Sequence, residues 1–141
     1  MTDRYLLDTV TLSKMTPAQR ASDFVRTHCA VPTPVLYEAS GLSERDALTP
    51  LEYRTTIEVL QHLRIVIASV TDDDKLLDLY RNEGNGDVFL LAVALAERAA
   101  ADGQLFGDCW IIATDDHGLT RKAAELDLPT CTSAEFIALL R

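Results

Sequence analysis

The chain has 141 residues, 48% of them hydrophobic and 25% charged, which suits one globular domain with one core and leaves little room for a second. No apolar run approaches the roughly 18 residues of a membrane span. The opening MTDRYLLD is too acidic and too briefly apolar for a secretory signal, so a cytoplasmic protein is expected. A net charge of −9 is the wrong sign for gripping nucleic-acid phosphates directly. Chemistry on nucleic acid would need bound cations, a local cluster of Arg and Lys, or a partner.

Tyr5-Leu6-Leu7 reads as a short buried strand ending in an acid, Asp8. Thr16-Pro17 supplies an N-cap and a first-turn proline, predicting a helix to about Thr27. Thr33-Pro34 repeats the signal for a helix carrying Val35, Leu36 and Glu38, stopped near Gly41. Thr49-Pro50 does so a third time, with Leu51, Ile57 and Leu60 as its expected buried stripe. Arg64-Ile65-Val66-Ile67 is short and β-branched and predicts a central strand. Asp72-Asp73-Asp74 should open another helix, since acids suit the positive end of its dipole.

Glu83-Gly84-Asn85-Gly86 reads as a turn, followed by Asp87 and an Ala- and Leu-rich helix from Val88 to about Asp102. Cys109–Ala113 is an apolar strand running into Thr114-Asp115-Asp116. A helix from about Gly118 to Leu126, a short strand near Pro129-Thr130-Cys131 and a Ser133-capped helix complete the chain. Strands separated by helices predict right-handed crossovers and a mainly parallel sheet covered on both faces, a single α/β domain over residues 1–141. In such sheets the functional crevice lies outside the carboxyl ends of the strands. Asp8 and the Thr114–Asp116 group fall at ends of that kind, and Glu38 and Asp87 lie on segments that would roof the same crevice.

Several chemistries find no support. Cys29, Cys109 and Cys131 are odd in number and far apart, with no C-x-x-C or Cys/His spacing, so they read as small buried hydrophobes. His28, His62 and His117 share no ligand spacing, and no G-x-G-x-x-G or Walker sequence is present. Val10 stands where a haloacid-dehalogenase-type phosphatase would carry its second acid.

Four segments occur in a telling order: Tyr5-Leu6-Leu7-Asp8-Thr9, Pro34-Val35-Leu36-Tyr37-Glu38, Gly86-Asp87 with Leu91-Ala92 and Ala94-Leu95, and Ile111-Ile112-Ala113-Thr114-Asp115-Asp116. In this order the chain resembles the PIN-domain nucleases, the family that includes the toxins of VapC-type toxin–antitoxin pairs. The resemblance covers nearly the whole length, including Leu128-Pro129 and Ser133–Phe136. It implies a PIN-like fold and a Mg²⁺- or Mn²⁺-dependent endoribonuclease, often a homodimer and, in the toxins, restrained by an antitoxin protein. It also implies a metal and catalytic set of Asp8, Glu38, Asp87 and Asp116, the last within a Thr-x-Asp pattern. Asp115 is the close competitor of Asp116 in this set. The chain departs from the pattern at Val10, where family members commonly carry Asn.

The residue types fit the chemistry. Mg²⁺ prefers oxygen ligands, retains several waters and needs only a few carboxylates to hold it. A bound ion acidifies water and neutralises charge on phosphoryl oxygens, bridging a negative protein and a negative substrate. Without a cation the clustered acids repel, and at least one should have a raised pKa. Each acid also has an ordinary alternative: Asp87 and Asp116 as helix N-caps, Glu38 as a solvated helix residue. Asp8, an acid at a buried strand end, is the hardest to explain that way. The competing functional reading is a catalytically silent PIN-like module that binds RNA or protein, which Val10 favours.

Overall fold

Strand β1 (Asp3–Leu7) lies at the centre of a five-stranded sheet. Beside it on one side run β2 (Cys29–Pro32) and β3 (Glu52–Tyr53), and on the other β4 (Cys109–Ala113) and β5 (Thr130–Cys131). The order is β3-β2-β1-β4-β5 and every pairing is parallel. This is a computed structural model, and it describes residues 2–39, 41, 48–70 and 85–140.

Tyr5, Leu6 and Leu7 are all buried although successive strand residues face opposite ways, so both faces of β1 are covered. On one face the Tyr5 ring packs against Phe24 of α3 (Asp23–His28) and Phe136 of α8 (Ser133–Ala138). The long helix α6 (Asn85–Ala101) packs against β2 and β4 and carries Leu90, Leu91 and Val93 into the core. Its closest helical neighbour is α5 (Ile57–Ser69). The α/β architecture expected from the alternation of elements is therefore present, with a wholly parallel sheet among the described residues.

Local capping explains most boundaries. Asp8 caps α1 (Thr9–Lys14). Thr16 forms a capping box with Gln19 at the start of α2 (Pro17–Arg20), with Pro17 in the first turn, as its dipeptide predicts. The expected run to Thr27 is broken after four residues, because the Ser22 hydroxyl accepts from Val25 N and restarts the chain as α3. Thr33 begins α4 (Thr33–Glu38), but its hydroxyl donates to Glu52 and so ties the helix to β3. Asp116 caps α7 (His117–Glu125). Thr132, not Ser133, caps α8, in a capping box with Glu135.

Three further expectations are corrected. Arg64–Ile67 is not a strand but part of α5, where Val59 and Val66, seven residues apart, are buried on one face. Packing against α6 overrides the β-branched preference of that run. Thr49-Pro50 opens only a 3-10 turn (Thr49–Leu51) that leads into β3, so Leu51 is buried while Ile57 and Leu60, on α5, are 71% and 51% exposed. Asn85 and Gly86 form the first turn of α6 instead of a loop, which puts Asp87 inside the helix and excludes it as the cap. The helix expected at Asp72–Asp74 and the residues Glu83-Gly84 lie outside the described residues. Among the described residues no helix is long and apolar enough to cross a membrane.

Candidate active site

The chain leaves β1 and β4 at the point where strand order reverses direction, and a crevice outside their carboxyl ends is the topological consequence. A cleft of about 370 Å³ opens there, lined by Asp8, Thr9, Val10, Glu38, Asp87, Asp115 and Asp116. All four acids implied by the resemblance thus face one space, although they come from two strand ends and two helices.

Asp8 is the anchor. Its side chain is 6% exposed, and each carboxylate oxygen has a donor. Thr11 N donates to Oδ1 at 2.7 Å, the N-cap bond of α1. The Thr114 hydroxyl donates to Oδ2 at 2.5 Å and itself accepts from Asp116 N at 3.1 Å. Thr114 is fully buried, so it joins the ends of β1 and β4 and fixes the start of the Asp115-Asp116 loop. Its hydroxyl is spent on organising the strand ends. Thr11 adds a second tie across the same seam, its hydroxyl donating to Ala113 O at 3.0 Å.

Glu38, at the end of α4, reaches over the first turn of α6. It accepts from the Thr9 hydroxyl at 3.2 Å and from Gly86 N at 3.2 Å. Asp116 is exposed and its Oδ1 accepts from Leu119 N at 2.8 Å, so it is both a cleft acid and the cap of α7. Asp115 is differently placed. It accepts from Lys14 Nζ at 2.7 Å, from Ser133 N at 2.9 Å and from the Ser133 hydroxyl at 2.5 Å. These donors hold its carboxyl well below the usual carboxylate range.

Asp87 accepts no hydrogen bond from any described residue. Burial pushes its carboxyl up to about 7, and the charges of Asp116, Asp8 and Glu38 push the same way. An acid with no donor among the described residues, facing three others, is a strained electrostatic arrangement that a cation would relieve. The donor set is all oxygen, which fits Mg²⁺ or Mn²⁺ and not a thiolate-preferring metal. Among the described residues no three of these groups are spaced to grip one ion together. Mg²⁺ does not require that, since one or two carboxylates with water and substrate phosphate suffice. The residues present therefore fit such an ion.

Sequence reasoning found the acids but not what supports them. Lys14, Gly86 and Ser133 carry no local signal for a role at the cleft, because their partners lie 101, 48 and 18 residues away. No protein-family model matches the chain, and no curated protein matches it in sequence.

Proposed function

We propose that the chain is a PIN-type endoribonuclease of the cytoplasm that hydrolyses RNA phosphodiester bonds with Mg²⁺ or Mn²⁺, of the kind that serves as a VapC-type toxin. The observation that carries this reading is the convergence of Asp8, Glu38, Asp87 and Asp116 on one open cleft, with Asp87 lacking any donor among the described residues. The choice of RNA rests on the ordered motifs. A homodimer and a restraining antitoxin follow from the same resemblance. An antitoxin Arg or Lys inserted among the four acids would satisfy them in place of metal.

Asp8 and Asp87, with Asp116 and Glu38 beside them, would hold the ion. When bound, it supplies an acidified water and neutralises charge on the attacked phosphate. The chain's own residues do the positioning. Thr114 and Thr11 N fix both oxygens of Asp8, and Thr9 with Gly86 N holds Glu38 over the cleft. With its carboxyl raised to about 7, Asp87 would hold a proton in part near neutral pH and would lose it on holding the ion.

The test is a Mn²⁺ titration followed by thermal melting, then incubation with single-stranded RNA with and without chelator. Stabilisation by Mn²⁺ and chelator-sensitive cleavage are expected; a protein that neither gains stability nor cleaves overturns the reading. The second reading, a silent module, is favoured by Val10, an apolar residue 49% exposed on the cleft wall. Stabilisation by Mn²⁺ without cleavage of any RNA would support it.

A further inference from the structure

We propose that the exposed face of α1 bearing Val10 and Lys14 is the track by which the RNA strand leaves the cleft, with Lys14 seating a backbone phosphate next to the one attacked. This rests on the nuclease reading above. Val10 and Lys14 are four residues apart and so lie one turn apart on the same side of the helix, opposite the buried Thr11 and Leu12. Val10 lines the cleft, so the face it shares with Lys14 continues the cleft wall outward.

The ammonium is held in position. Lys14 Nζ donates to Asp115 Oδ2 at 2.7 Å, and Asp115 is clamped in turn by the backbone N–H and hydroxyl of Ser133. Asp115 also lines the cleft, so the charge sits where the α1 wall meets the loop after β4. An ammonium has three N–H donors. Asp115 takes one, and the others meet no described residue on a side chain that is 53% exposed.

Distance and charge assign the role. The helical rise sets the Lys14 backbone about 9 Å along α1 from Asp8, and its ammonium is turned to Asp115, not to Asp8, Glu38, Asp87 or Asp116. A cation so placed at the edge of the acid cluster suits a neighbour in the strand better than the phosphate attacked at the acids. The neighbouring phosphate is not ligated by an ion held among the acids, and on a chain of net charge −9 a cation at the rim favours it. Lysine binds phosphate as a compact point charge, and an exposed ion pair is weak enough to be shared or exchanged.

The experiment compares wild type, Lys14→Gln and Lys14→Arg, reading the KM and kcat for cleavage of a mixed-sequence single-stranded RNA in Mn²⁺ over a NaCl series. Loss of one phosphate contact should raise KM at low salt, leave kcat near wild type, and flatten the log–log salt slope by about 0.7. Between roughly 50 and 200 mM salt, the wild-type advantage over Lys14→Gln should shrink about two- to three-fold. Lys14→Arg should restore the slope, and the Mn²⁺-induced melting shift should be the same in all three. An unchanged slope in Lys14→Gln, or a loss of the Mn²⁺ shift in parallel with KM, overturns the proposal and leaves the nuclease reading standing. A wild-type protein that neither cleaves RNA nor responds to Mn²⁺ sinks both together.

Discussion

The Glu38 carboxylate lies across Gly86: a Cβ built there would stand 2.9 Å from Oε2 and 3.0 Å from Oε1. Only a glycine lets the Glu38 side chain close over the first turn of α6 and take the Gly86 N–H. Gly86→Ala should keep the fold, since the groups in its way are the end of the flexible Glu38 side chain and the Val35 Cγ2 methyl at 3.1 Å, which must give by only a few tenths of an ångström, and alanine is the better helix former by about 1 kcal/mol. Glu38 would swing out of its seat. We expect melting within a few degrees of wild type and roughly 10-fold weaker Mn²⁺ binding, of the order seen when a support behind a metal ligand is removed. Calorimetric titration gives the answer, and unchanged affinity would remove Glu38 from the binding set.

Asp8→Asn separates charge from volume at the anchor. An Asn oxygen can still accept from Thr11 N, and Asn caps a helix about as well as Asp. Its amide faces the Thr114 hydroxyl, which must turn to accept. The metal-free variant should stay within about 1 kcal/mol of wild type, with repulsion relieved on one side and the Thr114 bond weakened on the other. Its melting temperature should no longer rise with Mn²⁺, and cleavage should be abolished. Equal Mn²⁺ stabilisation of both proteins would rule Asp8 out as a ligand.

Asp116 and Asp115 should separate cleanly. Asp116→Asn preserves the cap on α7 and should lose most metal affinity. Asp115→Asn should bind Mn²⁺ nearly as wild type, because its carboxylate is turned to Lys14 and Ser133. Its cost appears as stability. Because Asp115 titrates below its ordinary value, its contribution is present above about pH 4 and is lost as pH falls through the depressed pKa. The Asp115→Asn variant should therefore be destabilised at neutral pH and approach wild type in acid. The opposite ranking in Mn²⁺ affinity would put the loop one residue out of register with the proposed chemistry.

Asp87 should show the reverse pH dependence. Its folded pKa of about 7 stands above its ordinary 3.8, so between these values the folded state holds more protons than the unfolded chain. Metal-free stability should then fall as pH rises through that window. Asp87→Asn removes the effect, and at pH 8 without metal it should be more stable than wild type by roughly 1–3 kcal/mol. The two should converge near pH 4. Denaturant melts in chelator across pH would refute the placement of Asp87 if the two proteins kept a constant gap.

What was legible in the residues follows from how local each signal is. β1 and β4 announce themselves because buried apolar runs end abruptly in acids, and α6 because its alanines and leucines extend over four turns. Strands β2 and β3 do not: one is four residues ending in Pro32 and the other only two, too short for any period to show. The run Arg64–Ile67 favours a strand by itself and becomes helical only because Val59 and Val66 share a face against α6. The four acids were visible through ordered motifs. Their arrangement was not, since Asp115 and Asp116 both line the cleft and what sets them apart is that Asp115 is engaged by Ser133 and Lys14, which meet the loop only after folding.

The seam between β1 and β4 has a bearing on synthesis. Asp3 to Leu7 pair with Cys109 to Ala113, and the bond from Thr114 to Asp8 spans 106 residues. A chain made from its N-terminus can pair β1 with β2 early, but the other edge of β1 has no neighbour until residue 113 has emerged. Asp8, Glu38 and Asp87 are then already made, yet the cleft they share lacks a wall and its fourth acid. Long-range pairing of this kind is slow to form. The cleft is therefore complete only once residue 116 has been made and β4 has docked, and on the nuclease reading a partly translated copy would be inert.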